Sequence, residues 1–135
     1  MISEYKDQIE STDYWDSKVL DFSISFMGDE ANLYYEKDSE SVWRVSFRQC
    51  ARVEYDTDAA WKSRSSENLR YVKNMKEPQL GYYCQDISIE ESKECDGFYD
   101  VSFDLSIMKG TITCKELVIE ELPGSSCEFF WKSNK

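Results

Sequence analysis

The chain has 135 residues, of which 27 are acidic, 16 are basic and none is histidine, so its formal net charge is −11. A net charge of about 2 to 8 keeps a small domain soluble, and this larger excess of acid disfavours binding to the phosphates of nucleic acids. Without histidine the chain lacks the commonest general base and metal ligand. The length predicts a single domain over residues 1–135, and 15% aromatic residues predict that it is folded.

The first third of the chain predicts a hairpin. Residues 1–17 place apolar side chains at helical spacing, which fits either a short amphipathic helix or an irregular lead-in. Residues 20–26 then alternate between apolar and polar, the period of a half-buried strand. The Gly-Asp-Glu sequence at 28–30 predicts a turn, and residues 31–36 predict the returning strand.

A longer alternating segment follows, from Val42 to Tyr55. It is long for one strand, so we expect a bend, a bulge or a split near Arg48–Cys50. Its polar face carries arginines at four-residue intervals, Arg44, Arg48 and Arg52. We expect them to pair with acids on neighbouring strands, such as Asp21 or Asp104, rather than to bind an anion.

Residues 56–78 interrupt this alternation. The segment between Ala59 and Pro78 contains five basic and two acidic residues, a local charge of +3, so the rest of the chain carries −14. The segment predicts one short helix, capped at Ser65 or Ser66 and ended by Pro78, or a partly ordered excursion between strands.

The remainder of the chain again predicts strands. Residues 82–89, 99–107 and 111–122 alternate, with a turn at Lys109-Gly110 and a last segment at 127–132. Six to eight strands with polar outer faces and one short helix predict a mainly β fold, either an antiparallel β-sandwich or an open barrel. The oligomeric state is left open, although an edge at residues 31–36 or 127–132 could pair two chains.

The five cysteines include no C-x-x-C pair, and the N-terminal residues lack the features of a signal peptide. We therefore expect reduced, mostly buried thiols in a cytoplasmic protein, rather than disulfides or a zinc site. No apolar run is long enough to cross a membrane. The sequence predicts no cofactor and no resident metal.

Candidate catalytic groups are weak. Asp56 and Asp58 end the long strand and could hold a divalent cation or act in acid–base chemistry. A turn whose aspartate caps the next element is the favoured explanation, and the glycine of a calcium loop is missing. With 27 acids, a pair spaced for sugar hydrolysis arises easily by chance, and no cysteine has a histidine to activate it. We predict that the chain is not an enzyme.

Aromatic and amide side chains surround Gly81 in the segment from Gln79 to Asp86. Such a segment is typical of an exposed loop that enters a strand, and tyrosine and tryptophan are frequent binding anchors. Trp61 and Tyr71 lie near it in sequence. The alternative is that these aromatic residues belong to the core.

Three segments together resemble a known kind of protein: VWRVSF at 42–47, YDTDAAW at 55–61 and QLGYYCQDI at 79–87. In type and order, over roughly residues 20–120, they are similar to small Gram-positive proteins found among toxin–immunity genes. The resemblance implies an immunity protein, a cytoplasmic antidote that binds a toxin domain and blocks it. It also implies that an acidic surface is used against a basic nuclease toxin.

On this hypothesis the partner is a basic protein, because a strongly acidic chain is steered toward positive charge. We expect the binding site to combine acids at turns with an aromatic anchor: Asp29, Glu30, Asp56, Asp58, Trp61, Tyr82 and Asp86. The main alternative is a β module that holds a small apolar or cationic ligand in an enclosed cavity. A DNA mimic ranks last, since it needs regular rows of acids and the acids appear scattered among turns.

Overall fold

A computed structural model describes residues 1–57 and 71–134. These residues form one α-helix and six strands: α1 (Ile2–Ser11), β1 (Val19–Ser25), β2 (Glu30–Glu36), β3 (Ser41–Asp56), β4 (Asp86–Glu91), β5 (Tyr99–Asp104) and β6 (Lys109–Pro123). The strands make one sheet in the order β1-β2-β3-β6-β5-β4, and all neighbours are antiparallel. The predicted mainly β, antiparallel fold is confirmed.

The two ends of the sheet meet at one point. Lys18 pairs with Tyr83 in an isolated antiparallel bridge. The N–H of Val19 donates to the carbonyl of Tyr82 at 2.8 Å, and the N–H of Cys84 donates to the carbonyl of Ser17 at 2.9 Å. These bonds join the starts of β1 and β4 and leave the rest of those two strands unjoined to each other, so the sheet curls into an open barrel.

β3 bends in the middle, as the long alternation predicts. Gln49 has a φ of 53°, and the register with β6 shifts between Cys50 and Arg52. A bulge of this kind bends a strand and increases its twist. Before the bend β3 pairs with both β2 and β6. After it, β6 is its only strand neighbour among the described residues.

The core lies on the concave side of the sheet and is covered by α1. Ile9 of the helix is buried, and the Tyr5 ring packs edge-to-face on Tyr99 with centroids 5.3 Å apart. Beyond the helix, the Tyr14 hydroxyl donates to the carbonyl of Ile87 at 3.3 Å and accepts from its N–H at 3.2 Å. Residues 1–17 are thus partly helical, and their side chains close the open side of the barrel.

The turn predicted at Lys109-Gly110 is wrong, because both residues lie inside β6. The chain reverses earlier, where the N–H of Leu105 donates to the carbonyl of Met108 at 2.7 Å and Ser106 has a φ of 74°. A glycine is needed at position 110 because atoms of β3 and Phe103 lie close to its backbone, not because the chain turns there. A β-carbon there would lie 2.5 Å from the carbonyl oxygen of Glu54 and 2.7 Å from the Phe103 ring.

The last segment of the chain is not an edge strand. Residues 124–126 and 130–133 form short 3₁₀ turns, and Phe129 is buried with Leu20 and Val42 on the convex side of the sheet. The Trp131 indole N–H donates to the carbonyl of Leu20 at 2.8 Å. Residues 31–36 are also not an edge, because β2 pairs on both sides.

The predicted helix between Ala59 and Pro78 falls largely on residues 58–70, which lie outside the described residues. The described part of that segment forms two 3₁₀ turns, Val72–Asn74 and Glu77–Gln79. The side-chain amide of Asn134 ties the first turn to the C-terminus by donating to the carbonyls of Lys73 and Met75, both at 2.7 Å.

The close approach at Gly110 predicts a large effect of one methyl group. Gly110→Ala should lower the free energy of unfolding by about 1–3 kcal/mol, because β3 or Phe103 must shift to admit the β-carbon. Urea denaturation followed by circular dichroism measures this. Ser88→Ala, at an exposed position of β4, is the control and should change the stability by less than about 0.5 kcal/mol. Equal stability of the two variants would refute the packing at Gly110.

Candidate functional site

One part of the convex side of the sheet is electrically neutralised. Arg44 pairs with Glu120 at 2.7 Å and Arg48 with Glu116 at 3.6 Å. On the opposite side of the sheet, where Glu121 is the strand partner of Trp43, Lys37 pairs with Glu121 at 2.6 Å. Arg44 and Arg48 therefore pair with acids across strands, as expected, but in the described residues their partners are glutamates rather than Asp21 or Asp104.

Asp21 and Asp104 make other contacts. Asp104 lies 3.7 Å from the Lys109 ammonium. Asp21 is half-buried and accepts a hydrogen bond from the N–H of Phe22. Burial raises the pKa of the Asp21 carboxyl.

The second part of the convex side is a grid of polar residues on β4, β5, β6 and the end of β3. The strand register aligns them in three rows of four: Asp86, Asp104, Lys109, Asp56; then Ser88, Ser102, Thr111, Glu54; and Glu90, Asp100, Thr113, Arg52. Their sequence neighbours, such as Ile87, Val101 and Ile112, are buried on the opposite side. We call these twelve residues the acidic face, because they comprise six acids, two bases and four hydroxyls.

The acidic face holds two like-charge pairs. Asp86 lies directly opposite Asp104, and Glu90 lies directly opposite Asp100. Residues in such positions have β-carbons about 5 Å apart, and like charges there destabilise the sheet. No salt bridge to Asp86 or Glu90 is formed within residues 1–57 and 71–134. Among the described residues, the negative charge of β4 is therefore unbalanced.

The bases of the acidic face are already engaged. Arg52 pairs with Glu54 at 3.1 Å and with Glu94 at 3.2 Å, and Lys109 is the neighbour of Asp104. The Thr113 hydroxyl donates to Asp100 at 2.6 Å. These contacts fix the positions of several carboxylates while the face as a whole stays negative.

Two of the seven residues expected in the binding site come together here. Asp56 and Asp86 end the same row and line one open surface depression of about 750 Å³, together with Asp104 and Lys109. Four acids of the acidic face were not expected at the site: Glu54, Glu90, Asp100 and Asp104. Their even spacing within three alternating segments was the available signal, but such spacing does not reveal which strands are neighbours.

The other expected residues lie elsewhere. Asp29 and Glu30 are at the start of β2, where Glu30 is opposite Arg48. Eight residues of β3 separate Arg48 from Asp56, about 25 Å of extended strand. Asp58 and Trp61 fall outside the described residues.

Tyr82 is half-buried and packs against the core. It helps to line an apolar pocket of about 210 Å³, whose walls also include Phe22, Tyr55, Met108 and Phe130. Pockets that hold drug-sized ligands have volumes of about 300–1,000 Å³. The pocket is therefore small for such a ligand.

The five cysteines are all free. Only Cys84 and Cys114 are buried, whereas Cys50, Cys95 and Cys127 are partly exposed, so the expectation of mostly buried thiols is wrong. Burial raises the pKa of the Cys84 and Cys114 thiols to about 12 and that of Cys50 to about 11. A thiol with such a pKa is almost wholly protonated near neutral pH and is a poor nucleophile.

The described residues offer no group of three or more His, Cys, Asp or Glu side chains arranged to hold a metal ion. The ten-residue α1 has half the length that a bilayer crossing requires, about 20 residues. No longer apolar helix occurs in the described part of the chain.

Comparison with known proteins identifies the family. The sequence profile described as Immunity protein PIM7 matches residues 1–121. The chain belongs to this immunity protein family. The resemblance seen in the sequence is thereby confirmed, and an immunity protein acts through a protein partner.

A solved structure supports the fold. The chain is similar to the crystal structure of an uncharacterized protein from Neisseria gonorrhoeae, with a TM-score of 0.54 and 10% sequence identity. The likeness covers 81% of this chain and 94% of that one. At this identity it is evidence for the fold alone. No curated protein sequence matches the chain.

The like-charge pair of Asp86 and Asp104, at the start of β4, predicts a stabilising substitution. Asp86→Asn should raise the free energy of unfolding by roughly 0.2–1 kcal/mol, because it removes the repulsion from Asp104. The gain should shrink as salt is added, since salt screens exposed charges. Urea denaturation at low and high sodium chloride measures both effects. A loss of stability at low salt would contradict the repulsion.

The raised thiol pKa values predict that the buried cysteines are protected. In the native protein, near neutral pH, Cys84 and Cys114 should not react with Ellman's reagent, whereas all five thiols should react after unfolding in guanidinium chloride. Cys84→Ala should lower the unfolded count by one and leave the native count unchanged. An unchanged unfolded count or a lower native count would contradict the assignment of Cys84 as a free, protected thiol.

Proposed function

We propose that this immunity protein binds a basic toxin domain through the acidic face and occludes the surface that the toxin uses. The single observation that carries the proposal is the pair of like-charge contacts, Asp86 with Asp104 and Glu90 with Asp100. They cost folding energy, and within the described residues neither Asp86 nor Glu90 has a basic partner. Binding to a positively charged surface relieves both repulsions at once.

The position of the acids supports a role in fast recognition. They lie on adjacent strands of one sheet, and strands with buried neighbours move less than loops do. A rigid field of one sign steers an oppositely charged partner and raises the association rate. Rapid capture suits an antidote, because the toxin must be blocked before it acts.

The toxin that fits best is a nuclease. A nuclease must attract phosphate, so its active cleft is basic. The sequence made the acids appear scattered among turns, whereas the strand register places six of them within three parallel rows. Such rows offer a basic cleft carboxylates at repeated intervals. Occlusion requires no chemistry from the inhibitor, in agreement with the expectation that the chain is not an enzyme.

Ligand binding, the alternative considered from the sequence, has less support. It requires an enclosed apolar cavity of several hundred Å³, and the apolar pocket beside Tyr82 has about 210 Å³. The family match also points to a protein partner rather than to a small molecule.

Neutralising the acidic face tests the proposal. The toxin domain for the experiment is the one whose growth arrest in bacteria is relieved by co-expression of this chain. A variant with Asp86→Asn, Glu90→Gln and Asp104→Asn should slow association with that domain by on the order of 10-fold at low salt. It should also weaken the dependence of binding on salt. Surface plasmon resonance at several sodium chloride concentrations measures both.

Three paired acids outside the acidic face supply a matched control. Glu116→Gln, Glu120→Gln and Glu121→Gln together cause the same change in net charge, but they remove acids that already have basic partners. This control should leave the association rate within a few-fold of the wild-type value. If both triple variants slow association equally, net charge rather than the acidic face governs binding. If neither does, the proposal is wrong.

A further inference from the structure

The turn between β1 and β2 exposes two large apolar side chains. Phe26 is 74% exposed, and Met27 is fully exposed. Most large apolar residues of small proteins are at least partly covered, yet these two are consecutive and project from the tip of a hairpin. Ile24 on β1, two residues before Phe26, is also exposed. Together they form an apolar projection on an otherwise highly charged molecule.

The backbone of this tip is strained. Phe26 has a φ of 53° and Met27 a φ of 59°, followed by Gly28 at 98°. The left-handed region is open to glycine but costs other residues energy, and phenylalanine and methionine have no side-chain hydrogen bond to offset that cost. Asparagine or glycine would suit the turn better. Strain at exposed positions that add nothing to the core indicates a role outside folding.

The tip is continuous with the acidic face. The N–H of Cys50 donates to the carbonyl of Asp29 at 2.9 Å, which holds the tip against the bend of β3. Phe26 and Met27 share one surface depression with Arg52 and Val53. Arg52 ends the third row of the acidic face. A partner seated on that face therefore meets the tip beside it.

The acidic face alone is smaller than a standard protein interface, so a stable complex needs an additional contact. Four strands and three rows, with their side chains, cover about 20 Å by 20 Å. That is roughly half of the 800 Å² that each partner contributes to a standard protein interface. Charged surfaces raise the association rate and orient the partner, whereas slow dissociation usually depends on buried apolar or aromatic anchors.

We propose that Phe26 and Met27 are an apolar anchor that inserts into an apolar pocket of the toxin domain, next to its basic surface. The inference rests on the proposed function and adds the residues that hold the complex together. The acids accelerate encounter, and the tip slows release.

The charge of the chain argues that the occupant is the toxin and not a second copy. Two copies would bring together molecules that each carry a net charge of −11. Asp29, which adjoins the tip, is exposed and would add to the repulsion. A basic partner meets no such repulsion.

The decisive variant replaces Phe26 with Asn and Met27 with Gly. Both new residues tolerate a positive φ, so the hairpin keeps its turn. The variant should melt a few degrees higher than the wild type, because strain is removed and no core contact is lost. It should nevertheless bind the toxin domain about 30-fold more weakly or worse, the effect of losing a hot spot. Most of the change should lie in the dissociation rate and should not depend on salt.

An exposed aromatic far from the tip serves as the control. Tyr71 is 55% exposed and adjoins the turn at Val72, which packs near the opposite end of β1. Tyr71→Ser should change binding by less than about threefold. Comparable losses in the two variants would mean that any exposed aromatic residue matters, and would overturn the assignment of the tip.

The remaining outcomes separate this inference from the proposed function. If the tip variant binds like the wild type while the acidic-face variant does not, the anchor is refuted and the proposed function stands. If the tip variant is less stable than the wild type, the tip is structural and the anchor is refuted. If sedimentation shows a wild-type dimer that the tip variant cannot form, the occupant is a second copy. If neither the tip nor the acidic face affects binding, the proposed function itself fails.

Discussion

The bend in β3 is the constraint on which the rest of the molecule depends. One strand of sixteen residues, Ser41–Asp56, pairs with β2 in its first half and with β6 along nearly its whole length. The left-handed Gln49 and the register shift beside it turn the second half away from β2. The bend lets a single sheet curl around its core. It also seats the β1–β2 tip beside the row that ends at Arg52.

The charges on the convex side of the sheet are arranged in two ways. On β3 and the second half of β6 each arginine has a glutamate beside it, and that part of the surface is balanced. On β4 and β5 acid lies opposite acid with serine between. Exposed salt bridges add little stability, so the balanced part is a neutral surface rather than a major source of stability. Among the described residues, the contrast concentrates negative charge on β4 and β5.

Sequence patterns predicted the strands well, because alternation reports burial directly. They predicted the bend near Arg48–Cys50 for the same reason: fourteen alternating residues exceed the usual length of a straight strand. The error at Lys109-Gly110 arose because a glycine after a lysine is equally typical of a turn and of a tightly packed strand. Only the neighbouring Phe103 ring and β3 backbone distinguish the two, and they come from distant parts of the chain.

The acidic face could be predicted only in part. Asp56 and Asp86 were expected at the site, but their proximity depends on β6 lying between β3 and β5, and alternation does not encode strand order. Asp29 and Glu30 were expected to join them but lie beside the bend of β3, eight positions along the strand from Asp56. Phe26 was assigned to the end of a strand and Met27 was given no role, because the sequence pattern does not reveal their backbone conformation.

The hydroxyl of Tyr14 has a consequence for self-assembly. β4 is an edge of the sheet, and an unpaired edge invites another chain to add a strand. Tyr14 occupies both the N–H and the carbonyl of Ile87, the second residue of the six-residue β4. A foreign strand would have to displace a buried phenol before it could pair there. A protein that carries a strained apolar tip on one side is thus kept from polymerising through the other.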